Sequence, residues 1–278
     1  MIDSAAAAGL AHAAFEYGGI ALGLALYRRQ RLAAGLGGLK QAGSFAVLVG
    51  LLLGAAIGNK LAFALDRPEI VQQWLAGHWA LPGQSIVGGL LGGLIGVECA
   101  KALTGQTRST GDPMVWPIAA GIACGRIGCF AAGLHDETYG NATSLPWAVD
   151  FGDGVARHPT QLYDIGAVLL LAAAVHGRFD AVPGLAFKLF LSGYLGWRLC
   201  IDGLKPVPHA YALGLSGIQW LCLGALTLYL PIVRRAWVAP RRSAALETPL
   251  HARRGPICST TPRSRSARSA CARSRPRS

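Results

Sequence analysis

Charged side chains occur inside several apolar stretches of this 278-residue chain. Such groups are costly in an apolar solvent and by default indicate a functional site. Arg126, Asp164 and Arg198 lie in three of these stretches, whereas His158 and Asp202 lie at the ends of two. Because a guanidinium group donates parallel hydrogen bonds to a phosphate, the two arginines predict a binding site for a lipid phosphate.

The composition indicates that membrane helices position these residues. Hydrophobic residues make up 52% of the chain and charged residues only 14%, against about 25% charged in soluble domains. A helix that spans a membrane needs about 20 mainly apolar residues. We therefore expect an all-α, polytopic membrane protein of about seven transmembrane helices, which cover 9–27, 43–65, 85–103, 113–133, 161–176, 184–203 and 211–233.

The distribution of Lys and Arg between the loops predicts the orientation, because cytoplasmic loops are the more basic ones. With the N-terminus outside, the inner segments are 28–42, 104–112, 177–183 and the C-terminal tail, and the outer segments are 1–8, 66–84, 134–160 and 204–210. The outer segments contain Arg67, Arg157 and Lys205 as their only Lys or Arg residues. We therefore expect an inner-membrane protein whose N-terminus is outside and whose C-terminus is cytoplasmic.

This orientation places Arg126, Asp164, Arg198 and Asp202 together in the outer half of the bilayer. Tyr194 shares one helix face with Arg198 and Asp202 because the three are spaced by four residues. In a purely structural interpretation, Arg198 and Asp202 neutralise each other. That interpretation does not explain why the other charges lie at the same depth, so we favour a functional cavity open to the outer leaflet.

Two segments outside the predicted helices differ in composition. Residues 134–160 are polar and turn-rich, and we expect a small extracytoplasmic head on a transmembrane domain of residues 1–235. Residues 236–278 are rich in Arg, Ser and Pro, which predicts a disordered cytoplasmic tail.

The net charge of +12 is concentrated near the C-terminus. Residues 234–278 carry nearly all of it, so the folded body is not expected to bind nucleic acid. The tail either attracts anionic membrane lipids or is a neutral extension.

The seven cysteines do not form a recognisable metal-binding pattern. None lies in a C-x-x-C pair or near a histidine at zinc-finger spacing. Most lie in apolar stretches, where cysteine acts as a small hydrophobic residue. We therefore expect free thiols, with neither a metal nor another cofactor.

Three stretches together resemble the prolipoprotein diacylglyceryl transferase family. They are SIVGGLLGG at 85–93, CGRIGCFAAG at 124–133 continuing to TYG and LPWAVDF, and RHPTQLYD at 157–164. GYLGWRLCIDGLKP at 193–206 is similar to the family's late arginine-bearing segment, and the resemblance extends over about residues 45–233. It implies a bacterial enzyme of seven helices with a periplasmic head. Such an enzyme transfers diacylglyceryl from phosphatidylglycerol to the lipobox cysteine thiol of a prolipoprotein signal peptide and releases glycerol phosphate.

The resemblance also implies roles for individual residues. Arg126 and Arg198 would hold the phosphate, and Tyr194 would position or relay a proton. His158 is the best-placed replacement for the catalytic base, although it is equally compatible with a structural role before Pro159. The substrate-binding candidates are Gly88, Gly89, Gly140, Arg157, Gln161, Tyr163, Asp164 and Asp202. For Gly88 and Gly89, the repeated G-x-x-x-G spacing is also typical of helix packing.

The chain departs from the family pattern at several positions. Val87 stands where the glycine motif usually has His, and Cys129 stands where Asn usually follows the GRxG arginine segment. Glu98 and His135 are weaker candidates than His158 for the base, and we expect Glu98 to pair with Lys60 or Lys101. Cys129 is interpreted as a packing residue, with a nucleophile as the alternative.

Three functions remain open from these residues. The first is transfer of diacylglyceryl to prolipoproteins. The second is lipid transfer to another acceptor by a divergent paralogue, and the third is non-catalytic binding of phospholipid. In a channel or transporter, the polar residues would instead line a path through the membrane.

Overall fold

The computed structural model describes residues 4–33, 35, 42–78, 83–179 and 181–247. It confirms the all-α fold class. The chain divides into two compact units, Met1–Val238 and Ala239–Ser278, and the described residues of the second unit, 239–247, are helical. The described residues form the helices α1 (Ala5–Ala33), α2 (Ala42–Asp66), α3 (Glu69–Leu75), α4 (Ile86–Thr104), α5 (Val115–Ala132), α6 (Thr160–Val175), α7 (Leu185–Ile201) and α8 (Gly217–Glu247).

Each predicted apolar segment falls on one of the long helices. Five of the helices are long and apolar enough to cross a membrane, namely those within Ala5–Ala33, Gly43–Asp66, Ile86–Thr104, Asp112–Asp136 and Gly217–Val238. The helices α6 and α7 have 16 and 17 residues, so they extend over about 24–26 Å, close to the thickness of a bilayer core. The total of seven spans stays a prediction. Most of the predicted tail, from residue 248 onward, lies outside the described residues.

The helices α2 and α4 pack with their backbones in close approach. Gly58 faces Gly88, Gly54 faces Gly92, and Gly50 faces Gly96, each pair within one antiparallel interface. A side chain on Gly92 would meet the Gly54 carbonyl and would lie 2.9 Å from Gly58 Cα. The G-x-x-x-G spacing of α4 therefore serves helix packing, and a matching spacing in α2 completes the interface.

The centre of the core is α7, whose residues Phe190, Leu191, Tyr194 and Leu195 are fully buried. On one side α6 packs against α7, and α5 packs against α6 and α1. The side chains that α5, α6 and α7 direct toward one another include Arg126, Asp164 and Arg198. The core packing thus determines where those charges meet.

The head segment contains a small antiparallel hairpin of β1 (Val149–Asp150) and β2 (Ala156–Arg157). Its turn is closed by Asp150, whose Oδ1 atom accepts hydrogen bonds from the backbone of Gly152, Asp153 and Gly154. The backbone of Gly140 donates to His158 O, 2.9 Å away. A Cβ atom at Gly140 would lie 2.6 Å from His158 Cβ, so this position requires glycine.

Candidate functional site

Three helices bring Arg126, Asp164 and Arg198 into one buried cluster. Arg126 Nε lies 3.0 Å from Asp164 Oδ2, and Arg198 Nη1 lies 3.3 Å from the same oxygen. The other carboxylate oxygen, Asp164 Oδ1, accepts a hydrogen bond of 2.8 Å from Trp197 Nε1. Asp164 is fully buried, and it links α5 to α7.

Two further charges complete the cluster at the end of α7. Arg198 Nη2 donates to Asp202 at 2.7 Å. Lys205 Nζ lies 3.4 Å from Asp164 Oδ2 and 3.3 Å from Asp202 Oδ1. Lys205 was not among the predicted site residues because it lies outside the apolar stretch. The sequence could have identified Lys205 by its position, because it lies three residues after Asp202 on the continuation of the same turn.

The five side chains in direct contact within the cluster carry one more positive than negative charge, and a further carboxylate, Asp66, lines the same cavity. Three cationic side chains face two carboxylates, and none of the five side chains is more than 11% exposed. Burial and, to a smaller extent, the neighbouring Arg198 lower the pKa of Lys205 to about 8, whereas Asp164 opposes the shift. At neutral pH Lys205 keeps its proton, so the cluster is suited to bind a group with one negative charge.

A cavity of about 890 Å³ opens onto this cluster. Arg126, Arg198, Asp202 and Lys205 line it, and apolar side chains such as Ile20 line other parts of its wall. Pockets for small ligands have volumes of about 300–1,000 Å³. The cavity therefore combines a cationic end with an apolar wall, as an amphipathic ligand requires.

Two buried side chains among the predicted site residues have polar groups without a hydrogen-bond partner among the described residues. They are Tyr194, through its hydroxyl, and Gln161, through both amide atoms. Both side chains are fully buried, and neither lines the cavity. The roles predicted for them stay predictions.

Several predicted site residues lie in the head segment, away from the cavity. Arg157 forms two hydrogen bonds of 2.6 Å with Asp153, which lower the pKa of that carboxyl group. Trp147 Nε1 donates to Tyr163 Oη at 2.6 Å, and His158 Nδ1 lies 3.4 Å from the same hydroxyl. These contacts hold the head together, so the structure does not bring His158 to the charge cluster.

The glycine motif and the deeper acid are also separate from the cluster. Gly88 lies in the α2–α4 interface, and Gly89 lines another, mainly apolar cavity of about 1110 Å³. Val87 is 1% exposed and packs in the core. Glu98 forms an ion pair of 2.9 Å with Lys101, which confirms one of its two expected partners.

The structure also brings together His12, Cys129 and Asp136, whose possible metal-ligand atoms all lie within 4.8 Å of one another. His12 Nδ1 is 2.8 Å from Asp136 Oδ1. The three residues line the same cavity as the two arginines. No short motif predicts this group, because His12 is separated from the other two residues by more than a hundred positions.

Comparisons with known proteins match the part of the chain that carries the cluster. A family model described as prolipoprotein diacylglyceryl transferase matches residues 10–234. The chain is 31% identical to the phosphatidylglycerol–prolipoprotein diacylglyceryl transferase of Polynucleobacter asymbioticus, over 69% of this chain and 75% of that protein. It is 31% identical to the protein of the same name from Cupriavidus necator, over 73% of this chain and 75% of the relative. For the Geobacter sulfurreducens protein of that name, 31% identity extends over 57% of this chain and 62% of the relative.

Proposed function

We infer that this chain, which belongs to the prolipoprotein diacylglyceryl transferase family, transfers the diacylglyceryl group of phosphatidylglycerol to the cysteine thiol of a prolipoprotein. It is a transferase of lipoprotein biosynthesis and a multi-pass protein of the bacterial inner membrane. Its partners are phosphatidylglycerol and the lipobox of the prolipoprotein signal peptide, and the surrounding lipids form its solvent.

The surplus positive charge at the end of the cavity is the observation that carries this function. Phosphatidylglycerol has one phosphodiester charge, which matches the excess of three cations over two carboxylates. Arg126 and Arg198 bind that phosphate, while Asp164 and Asp202 hold the guanidinium groups in position. The apolar wall accepts the first part of the acyl chains.

The same charges stabilise the transition state. When the thiol gives its proton to a base and its sulfur forms a bond to the glyceryl carbon, the bond from that carbon to the phosphate oxygen breaks. Its electron pair leaves with glycerol phosphate, which gains a second negative charge. Preorganised donors in a site of low dielectric constant stabilise such developing charge more strongly than water does.

The remaining predicted residues support this arrangement indirectly. Tyr194 and Gln161 are fully buried, and their polar atoms without a hydrogen-bond partner suit the relay or positioning of a proton. Gly140, Arg157 and Tyr163 shape the head, and His158 is held with them. Their contribution is to position the head over the transmembrane helices rather than to contact the phosphate.

Orientation and domain structure follow the loop charges. The N-terminus is outside and the C-terminus is cytoplasmic, so the cluster opens to the outer leaflet, where both the lipid and an exported acceptor are accessible. Residues 1–235 form the transferase domain with its head at 134–160, and residues 236–278 form a tail that the reaction does not require.

The proposed function is tested with purified protein in phosphatidylglycerol vesicles that contain a lipobox peptide. The expected product is a peptide thioether detected by mass. Arg126→Ala and Arg198→Ala are each expected to lower kcat/KM at least about 100-fold, because each removes a preorganised donor to the developing charge. Arg178→Ala is the matched control, since Arg178 is exposed in the turn after α6. Normal activity of both site variants would contradict the phosphate-binding role.

A second candidate function is lipid transfer to a different acceptor. It is favoured by Val87, which is buried where the family usually has His. Release of glycerol phosphate from phosphatidylglycerol without a lipobox thioether would support this alternative. Tight lipid binding without glycerol phosphate release would instead indicate a non-catalytic protein.

A further inference from the structure

We propose that His12, Cys129 and Asp136 bind a zinc ion whose remaining coordination position takes the acceptor thiol as a thiolate. This inference rests on the proposed function and adds to it a source of the nucleophile. It departs from the sequence-based expectation of no metal. The three residues belong to α1, to α5 and to the short helical turn that follows α5.

The three ligand atoms are close enough to converge on one ion. They lie within 4.8 Å of one another, and His12 Nδ1 is 2.8 Å from Asp136 Oδ1. Zinc bonds of about 2.0–2.3 Å in tetrahedral geometry place ligand atoms about 3.3–3.8 Å apart. The widest pair therefore needs to approach by about 1 Å, and His12 Nδ1 and Asp136 Oδ1, now 2.8 Å apart, need to separate by about 0.5 Å as the ion replaces their direct contact.

The types of the donors favour zinc over other ions. A thiolate ligand selects zinc among the common divalent ions, whereas calcium and magnesium require oxygen ligands. Catalytic zinc sites have three protein ligands and keep one position open, and structural sites use four. His12, Cys129 and Asp136 supply three.

The contacts that orient His12 and Asp136 also resemble those of a zinc site. The hydroxyl of Thr138 donates a hydrogen bond to the second carboxylate oxygen of Asp136. The other ring nitrogen of His12, Nε2, lies 3.9 Å from a carboxylate oxygen of Glu16. Metal-bound histidine and carboxylate ligands are commonly oriented by such partners.

The location of the group connects it to the phosphate site. His12, Cys129 and Asp136 line the cavity that Arg126 and Arg198 also line. Arg126 Nη1 lies 3.8 Å from Cys129 Sγ. A thiolate bound to the metal would therefore be close to the carbon that carries the phosphate held by Arg126.

The chemistry balances without an oxidant or reductant. When the acceptor thiol binds zinc, its proton is released to solvent, because a coordinated thiol is deprotonated. A lone pair of the thiolate sulfur forms the bond to the glyceryl carbon, and glycerol phosphate departs with the electrons of the broken carbon–oxygen bond. The thioether is a weaker ligand than the thiolate and leaves the ion. No histidine is needed at position 87.

The first test measures metal in the purified full-length protein. Equimolar zinc is expected, and replacement by Co²⁺ should give the sulfur-to-cobalt charge-transfer band of a thiolate ligand. Cys129→Ser should abolish that band, and His12→Ala and Asp136→Asn should lower the zinc content. The controls are Cys124→Ser, on the same helix, and His135→Ala, beside Asp136 and exposed, both of which should retain zinc.

The second test asks whether the ion binds the acceptor. A lipobox peptide should change the spectrum of the Co²⁺ protein, and the same peptide with Ser in place of Cys should not. Chelation should abolish thioether formation, and Zn²⁺ should restore it. The wild-type spectrum requires no variant, so the test holds even where a substitution prevents folding.

The outcomes separate this inference from the proposed function. Thioether formation by a protein without zinc, or a diacylglyceryl adduct on Cys129 itself, would overturn the zinc site and leave the transfer function in place. A thiol-sensitive cobalt spectrum without any thioether product would support the metal site and remove prolipoprotein as the acceptor.

Discussion

Asp164 holds the charge cluster together because three cationic side chains contact it. It is fully buried and contacts Arg126, Arg198 and Lys205 within 3.4 Å. Removing one partner of a buried ion pair is strongly destabilising, since the remaining charges lose their compensation. Asp164 is therefore a residue whose loss affects the fold as well as the site.

Asp164→Asn is expected to lower the free energy of unfolding by about 3–5 kcal/mol, because it leaves buried cations uncompensated. The measurement is the thermal unfolding midpoint in detergent. Asp153→Asn is the control: it removes the partner of Arg157 in the exposed hairpin, where a salt bridge contributes little, and should leave the midpoint unchanged. Equal midpoints for Asp164→Asn and the wild type would contradict the structural role.

Lys205 makes the affinity for phosphatidylglycerol depend on pH. Its pKa is lowered to about 8 by burial and by Arg198, against the opposing effect of Asp164; Arg126 and Asp202 also contribute. As the pH rises through this value, Lys205 loses its proton and the surplus charge disappears. The lysine thus binds phosphate below its pKa and not above it.

Raising the pH from 7 to 9 is expected to weaken phosphatidylglycerol binding about tenfold, the loss of one charge-assisted hydrogen bond. In Lys205→Arg, affinity should be constant over this range because arginine keeps its charge. Binding is measured in place of turnover, since an acceptor thiol titrates in the same range. An identical pH dependence in the variant would assign the effect to another group.

The residues of the cluster were predictable only in part. Charge within an apolar stretch identified Arg126, Asp164 and Arg198, because a membrane tolerates few such groups. Sequence predicts depth along a helix but does not predict which neighbour a head residue contacts. His158 was therefore expected at the site and instead contacts Tyr163. His12 and Asp136 meet through α1–α5 packing, which no local pattern encodes.

At the scale of elements, α2 and α4 approach each other closely at their glycine interface. Gly92→Ala is expected to lower the free energy of unfolding by about 1–3 kcal/mol, because its Cβ would overlap the Gly54 backbone. Thermal unfolding in detergent measures the effect. Gly89→Ala is the matched control in α4, since nothing lies closer than 3.9 Å to its added Cβ. A loss of activity in Gly89→Ala at an unchanged midpoint would support substrate contact there.

One result would contradict the prediction for Gly92→Ala. If both variants unfold at the wild-type temperature, the two glycine rows do not determine the spacing of α2 and α4. Loss of stability in Gly89→Ala alone would place the interface on the face of α4 that carries Gly89.

The elements were more predictable than their contacts. Apolar segments of nearly membrane length placed all seven long helices, because hydropathy depends on composition rather than on partners. The glycine row of α4 indicates helix packing, but its partner row of Gly50, Gly54 and Gly58 cannot be identified from the sequence, since each row is only weakly specific by itself. The short α3 and the hairpin of β1 and β2 lie in loops, where turn residues decide the structure and hydropathy does not.

At the scale of the whole molecule, the site has its charges at one end of the folded unit. Arg126, Arg198 and Lys205 meet where α5 and α7 end and the head begins. A transferase that acts on a lipid and an exported peptide requires that end to face outward. The distribution of Lys and Arg over the loops favours the same orientation. The orientation of the protein in the membrane is therefore a test of its function.

Cysteine labelling with a membrane-impermeant maleimide tests this orientation in a background without native cysteines. Ser4→Cys and Asp153→Cys are expected to react in intact spheroplasts, because they lie in the predicted outer segments. Arg178→Cys, in a predicted inner loop, should react only after lysis. The reverse pattern would place the charge cluster in the cytoplasmic half of the membrane. There the cavity would open to a leaflet that the exported acceptor has already left, and the phosphate site would need another substrate.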